Sequence, residues 1–454
     1  MVHLTASLRQ YIIIISVNLT GIGMGMTFSW TSPMLVKLMN EDTQFSKRVT
    51  EEEASWLASL GFLCSIICLP GFYWLVGLLG RKKMMLYLSL ARACVNMLYI
   101  FASEIWTLFI VRAATGALEI GILTNLPAYN AEIASKQIRG ALGTMGQLST
   151  AIGMLIMLSV GPYASYQMVN IVYQCVVTIG LIPLFFIPES PFCMLRKGRT
   201  DEALKILTYL RGSELTAQEE MKQMTAVYDQ KVDKRILFKD IVFLKTLGIV
   251  TILSTGYQMI GYCSVTLYLQ TILEVTGTSI SSEVVSVIFG VMQIFACFVT
   301  TLLSDRAGRK PILVSTLAGM AVGMIGLGTF FFIKDSGSEI EGFLNYMPLI
   351  SLVIIVLCFN AGMGSLSIVL SAELFDNPTR SIGICVTLSM TMLFGFLNLK
   401  YFPMMTTALG SATVFWSFAV ICVLLLLFIS FCVPETKRKT FLEIQKALGR
   451  KNLG

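Results

Sequence analysis

The sequence predicts an all-α membrane protein of twelve transmembrane helices in two six-helix halves, with both termini cytoplasmic. Three observations predict it. Of 454 residues, 55% are hydrophobic and 13% charged, about half the charged share of an average soluble domain. Apolar runs of about 20 residues, long enough to cross a bilayer as a helix, recur along the chain. Charged phrases recur with them: AEIASKQIRG at 131–140 and AELFDNPTRS at 372–381 each follow a long apolar run, with Glu132 and Glu373 separated by 241 residues.

Taken in order, spans are expected near 11–37, 56–79, 84–102, 106–131, 141–161 and 166–187. After a polar stretch they resume near 242–272, 284–303, 312–333, 347–371, 382–404 and 411–433. The halves are therefore 1–187 and 242–433, joined by a linker at 188–241 and followed by a tail at 434–454. The first run is too long for a cleavable signal peptide and reads as a span. Its sequon, Asn18-Leu19-Thr20, lies within that span and should carry no glycan. Within the linker, KGRTDEALKILTYLRGSELTAQEEMKQM reads as short amphipathic helices.

Charge sets the orientation. Arg81, Lys82 and Lys83, then Lys136 and Arg139, then Arg306, Arg309 and Lys310, and finally Lys437, Arg438 and Lys439 fall on one side. NEDTQ, TEEE, Glu104, Glu283 and EIEG fall on the other, opposed only by Lys47, Arg48 and Lys334. The positive-inside rule places the basic side in the cytoplasm. The net charge of +7 follows from that asymmetry and from anionic lipid, with no need for nucleic acid. A single histidine, His3, leaves no material for Ser-His or His-metal chemistry, so neither an enzyme nor a metal or cofactor site is expected. The eleven cysteines form no CxxC pair and read as small hydrophobes.

The duplication extends beyond one phrase. GLLGRKKMML after the second span parallels SDRAGRKPIL after the eighth, and PESP at 188–191 parallels PETK at 434–437. Two related six-helix halves are the signature of a rocker-type transporter with its site near mid-membrane.

In these residues the chain resembles the sugar-porter family of the major facilitator superfamily over essentially its whole length. The resemblance rests on Asp305 with Gly308-Arg309-Lys310, Arg112 with Gly116, Pro127-x-Tyr129-x-x-Glu132, Arg139-Gly140, and the Pro-Glu-Ser-Pro and Pro-Glu-Thr-Lys endings. FSWTSPMLVKL at 28–38 and VPETK point to the insect branch of trehalose and hexose facilitators. The first half departs from the pattern, with Gly77 where the family has Asp and Phe192 where it prefers Arg. The resemblance implies a plasma-membrane, multi-pass protein that works as a monomer on a sugar.

The duplicated charges then acquire a role. Arg81, Lys82, Glu132, Arg139, Asp305, Arg309, Glu373 and Arg380 are expected to form a cytoplasmic gate, through ion pairs across the halves. One exposed pair contributes only about 0–1 kcal/mol, but several can bias a two-state equilibrium. The alternative is that they anchor helix ends.

A sugar brings hydroxyls and no charge, so its site needs amides and aromatic faces among apolar walls. Gln147, Tyr257, Gln258, Gln293 and Asn360 are the expected substrate-binding residues, those positions lining the sugar site in the family. Helix–helix hydrogen bonding is the competing role for such amides. Several positions differ from a glucose transporter: Tyr257 stands for a Gln, Cys263 for an Asn, and Gly364-Ser365-Leu366-Ser367-Ile368 for a Gly-Pro-x-Pro-Trp segment, removing two helix-breaking prolines. Tyr268 is the expected extracellular gate, with an interfacial anchor as its alternative.

Span 1, where proton-coupled members carry Asp, reads NLTGIGMGMTFSW and holds no acid, which favours uniport. Glu119 in span 4 is the complication. Counting from Glu104 at 1.5 Å per residue puts Glu119 and Arg92 both roughly 20 Å deep, and an intramembrane Arg92–Glu119 ion pair is expected, with Arg112 as the alternative partner. The sequence thus supports a facilitative hexose or trehalose uniporter, with a proton-coupled symporter and a non-transporting sugar sensor as alternatives. The tail of about twenty residues counts against the sensor.

Overall fold

The computed structural model describes residues 5–40, 45, 47–135, 138, 145–228, 241–277, 279–337, 340–375, 380–436 and 443. In chain order the helices begin with α1 (Ala6–Asn40), α2 (Glu51–Leu79), α3 (Arg81–Phe101), α4 (Ile105–Ile133), α5 (Met145–Val160) and α6 (Tyr166–Leu181), the last continued by a 3-10 turn, Ile182–Phe185. Three short helices follow, α7 (Pro191–Arg196), α8 (Thr200–Arg211) and α9 (Glu214–Tyr228). Then come α10 (Ile241–Met259), α11 (Tyr262–Leu267), α12 (Leu269–Thr276), α13 (Ser282–Ala307), α14 (Arg309–Asp335), α15 (Met347–Ala361), α16 (Met363–Leu374), α17 (Arg380–Leu409) and α18 (Ser411–Cys432). Among the described residues, eleven helices are long and apolar enough to cross a membrane, and α5 is a shorter apolar helix of 16 residues. Arg139, in the expected gate, lies outside the described residues.

Two expected spans are not single helices. The run at 242–272 breaks first at Gly261, whose φ of 84° suits glycine, and again at Tyr268. A Cβ on Gly261 would lie 2.3 Å from the Phe418 ring. The run at 347–371 breaks at Gly362, between α15 and α16, although the family's prolines are gone. Here a Cβ would fall 1.9 Å from Thr316 Oγ1. Span 10 is thus interrupted without proline, at a glycine against which the Thr316 side chain packs.

The chain divides into two compact units. The first contains residues 1–28, 64–154 and 165–232. In it α3 packs along α4 and α6, around a core that includes Ile14, Val17, Leu88, Ile122, Leu126 and Leu184. α1 and α5 cross at backbone contact: a Cβ on Gly25 would meet Thr150 O at 1.9 Å, and one on Gly153 would meet Ile22 O at 1.9 Å. Asn18 is buried within α1 and accepts a hydrogen bond from Asn130. The short helices α7–α9 gather Met194, Leu195, Ala203, Leu207, Ala217 and Met221 into a satellite core. Arg211 ties them down, bonding Glu220 at 2.6 and 2.8 Å and the Ile133 carbonyl at the end of α4 at 2.8 Å.

The second unit contains residues 29–63, 155–164 and 233–454. α14 packs along α18 and α15, α10 along α17, and α13 along α15. Aromatic rings fill one region, with Phe402, Phe415 and Phe418 in mutual contact. Lys400 on α17 lies 4.2 Å from the centre of the Trp56 ring and donates to Ser55 Oγ at 2.8 Å. That cation–π contact offsets part of the cost of a charge within a span.

The duplicated motifs build the same cap in each unit. α3 begins after Gly80 (φ 92°), and the Glu189 carboxylate accepts from Lys82 N at 2.9 Å. α14 begins after Gly308 (φ 94°), and the Glu435 carboxylate accepts from Arg309 N at 3.2 Å and Lys310 N at 3.1 Å. A carboxylate at a helix N-terminus satisfies orphan N–H groups and faces the positive end of the helix dipole. In both units the Pro-Glu motif thus holds the start of the helix that follows Gly-Arg-Lys.

Candidate functional site

The second unit brings Gln293 and Asn360 to one buried polar cluster, centred on a residue that the sequence does not single out, while Gln258 is buried near the end of α10. Tyr262, immediately after the Gly261 break, accepts hydrogen bonds at its hydroxyl from Gln293 Nε2 at 2.7 Å and Asn360 Nδ2 at 3.2 Å. Its ring stacks on Phe359 (centroids 3.5 Å apart, interplanar angle 8°) and faces Phe289 at 6.3 Å. Tyr257 packs against the same Phe359 at 5.1 Å. The backbone of Gln258 accepts from Asn398 Nδ2 at 2.6 Å.

The amide oxygens of Gln258 and Gln293 are both buried and, among the described residues, have no hydrogen-bond partner. A buried amide oxygen left unmade costs about 1–3 kcal/mol. The Gln293 acceptor lies beside the stacked rings of Tyr262 and Phe359, in a neutral cluster whose hydrogen bonding is incomplete among the described residues. Tyr262 carries no local signal that separates it from any aromatic in an apolar run; only the fold shows that its hydroxyl meets both amides. Gln147 stands on α5 in the first unit, half-buried. Tyr268 is buried at the α11–α12 break, donates to Leu399 O at 3.2 Å and stacks on Phe402 at 5.2 Å.

The first unit holds a second polar cluster, and it is charged. Arg92 is fully buried, and its Nη1 lies 3.4 Å from Glu119 Oε1. Nη2 donates to Thr20 O at 3.4 Å. The Thr27 hydroxyl donates to Glu119 and also contacts the Tyr173 hydroxyl. Arg112 donates to Thr27 O on the backbone of α1 at 3.3 Å, while Arg92 makes the ion pair with Glu119.

At the basic end of the first unit, Arg81 Nε donates to Glu132 Oε1 at 2.7 Å, and the Ser190 hydroxyl donates to the same carboxylate. This ion pair joins α3 and α4 within the first unit. Lys82 Nζ instead donates to Phe185 O at 3.0 Å. In the second unit Arg309 starts α14 over Glu435. Asp305 and Glu373 stand in the last turns of α13 and α16, and Arg380 opens α17, but their side chains lie outside the described residues. At Gly77, where the family carries Asp, a Cβ would sit 3.7 Å from Arg196 Nη2, so the cation that an acid there would meet is in place.

Comparison with known proteins agrees with this architecture. Residues 13–448 match the family described as Sugar (and other) transporter. The chain is 30% identical to the facilitated trehalose transporter Tret1 of Polypedilum vanderplanki, covering 97% of this chain and 88% of that protein. It is also 30% identical to the Tret1-2 homolog of Drosophila simulans, over 97% and 91%. Tret1 of Aedes aegypti is 28% identical over 97% of this chain but 55% of its own length. Among solved structures, the inward-open xylose transporter XylE of E. coli superposes with a TM-score of 0.79 at 21% identity, covering 96% of this chain and 99% of that one. The proton:xylose symporter XylE bound to 6-bromo-6-deoxy-D-glucose gives 0.77 at 20% identity, over 97% and 99%. The fold is that of the major facilitator superfamily.

Proposed function

The chain belongs to the sugar transporter family, and we propose that it is a facilitative uniporter of a hexose or of trehalose, working by alternating access. The observation that carries this reading is the neutral cluster of the second unit. Buried acceptors on Gln258 and Gln293 and aromatic walls from Tyr257, Tyr262 and Phe359 suit a ligand with many hydroxyls and no charge, and Asn360, whose amide donates to Tyr262 and Val356, is proposed to line the same site. Gln147 is proposed to supply a further amide. Tyr268, wedged between Leu399 and Phe402, is proposed as the extracellular gate. The duplicated basic motifs, with Glu132 and Glu373, are proposed to form the cytoplasmic gate. Charge asymmetry supports cytoplasmic termini, the duplicated motifs support two six-helix halves, and the plasma-membrane location rests on the family resemblance. Because Arg81 and Glu132 pair within one half, the gate would open and close by exchange of partners among charges already matched.

Uniport is favoured because the hydroxyl of Thr27 is the polar group that span 1 offers to Glu119, and a hydroxyl of that kind carries no exchangeable charge. A second reading, proton-coupled symport, has its own observation: Glu119 is a membrane-embedded carboxylate held by Arg92 and Thr27. Uptake of labelled glucose and trehalose into proteoliposomes, with and without a pH gradient, separates the two. Saturable equilibration independent of the gradient is the expected result. Accumulation driven by inward protons, abolished in Glu119→Gln, would replace uniport with symport.

A further inference from the structure

One cavity of the first unit, of about 350 Å³, belongs to neither polar cluster. Its walls bring Lys82, Lys83, Lys197 and Arg199 together with the single carboxylate Glu189. That carboxylate is already engaged, accepting from the backbone N–H groups of Lys82 and Ser190. Four cations therefore line a space whose one acid serves as a helix cap, and of these Arg199 is also paired with Glu202. Lys82 Nζ is anchored on Phe185 O, while Lys83 and Lys197 are exposed.

The remaining walls are apolar. Tyr87 and Phe185 line the cavity and are 51% and 53% exposed, and next to them Phe186 is 84% and Ile182 54% exposed. In a span-bearing chain these bare side chains are the surface that meets acyl chains. Lys83 and Tyr87 are one helical turn apart on α3, about 6 Å. The cations thus stand at the polar boundary, directly over an acyl-facing wall. Basic pockets between membrane helices hold anionic headgroups in this arrangement.

We propose that this cavity is a binding site for the headgroup of an anionic glycerophospholipid, with its phosphate among Lys82, Lys83, Lys197 and Arg199 and its acyl chains along Tyr87 and Phe186. Zwitterionic lipid is disfavoured, because its ammonium would meet the same four cations. The site also connects α3, the end of α6 and the linker helices α7 and α8, so an occupant fastens the linker to the bundle.

The test titrates dioctanoyl phosphatidylserine into the purified full chain and follows one-to-one adducts by native mass spectrometry. Dioctanoyl phosphatidylcholine and glycerol phosphate serve as parallel arms. Lys83→Gln/Lys197→Gln is expected to weaken the phosphatidylserine adduct by about 30-fold, from roughly fivefold per surface cation at an anionic lipid. Lys205→Gln/Lys222→Gln, which removes two exposed cations elsewhere on the linker, should stay within twofold of the parent chain. Equal retention by the two double variants would overturn the site, as would equal binding of phosphatidylcholine. Glycerol phosphate binding as tightly as the lipid would overturn the lipid source and leave a soluble-phosphate site. None of these readouts depends on the sugar carried.

Discussion

The chain buries two polar clusters that each leave a buried polar atom without a partner among the described residues, Arg92 Nε in the first and amide oxygens in the second, and they differ in charge. In the first unit, Arg92 and Glu119 set opposite charges against each other, with Thr27 and Tyr173 adding hydroxyls. In the second, every side chain is neutral, and the oxygens of Gln258 and Gln293 are left over. A buried ion must find its counter-ion inside the protein, because the bilayer offers none. A neutral amide can wait for a ligand at a smaller penalty. The charged cluster therefore reads as framework and the neutral one as receptor.

The contrast can be broken most forcefully at Arg92. Arg92→Ala should destabilise the protein by about 3–5 kcal/mol, because it strands a buried carboxylate. Arg92→Met combined with Glu119→Leu should recover most of that loss, and thermal unfolding in detergent reads both. If the double variant keeps its stability but loses transport, the charged cluster is more than framework. Next in size is Gln258→Ala, expected to lower kcat/KM for the sugar about tenfold, in line with one lost hydrogen bond, while the melting temperature holds. Unchanged uptake kinetics would move the receptor elsewhere.

Tyr262→Phe sharpens the comparison further, since it removes the acceptor shared by Gln293 and Asn360 and keeps the ring. The sugar-free variant should lose about 1 kcal/mol of stability, and saturating sugar should restore part of it by supplying hydroxyls in place of the phenol. A loss that sugar leaves untouched would make Tyr262 a purely structural pin. The smallest effect is expected for Thr27→Val, which removes one hydroxyl from Glu119 and should cost about 0.5–1.5 kcal/mol without changing gradient-independent uptake in proteoliposomes.

How much of this was legible in the sequence depends on the length scale of each cause. The spans were legible because each is a local run of apolar residues, and lipid imposes the requirement on every one of them. The relative depth of Arg92 and Glu119 could be counted because α3 and α4 are continuous and rise uniformly. The presence of Thr27 and Tyr173 beside them could not, since local sequence does not state which faces of α1 and α6 turn toward α4. The breaks in spans 7 and 10 were hidden for a similar reason. Gly261 and Gly362 look like ordinary glycines in apolar helices until Phe418 and Thr316 are seen pressed against them. Tyr262 was illegible because its role is created by the side chains it meets. Gln258, Gln293 and Asn360, by contrast, were singled out through the family resemblance, because an amide in an apolar run such as Asn96 or Asn398 looks no different locally.

The crossing of α1 and α5 carries a consequence for how the chain is made. Gly25 and Gly153 let two backbones touch, and 128 residues separate them in the chain. At about 5–20 residues per second of synthesis, α1 waits roughly 6–26 seconds before the helix that covers its glycine face has been synthesised. Throughout that interval a notch of bare backbone faces the lipid or the insertion machinery. α1 thus waits for a helix four elements further along the chain, and a delay between Gly25 and Gly153 would prolong its exposure to quality control.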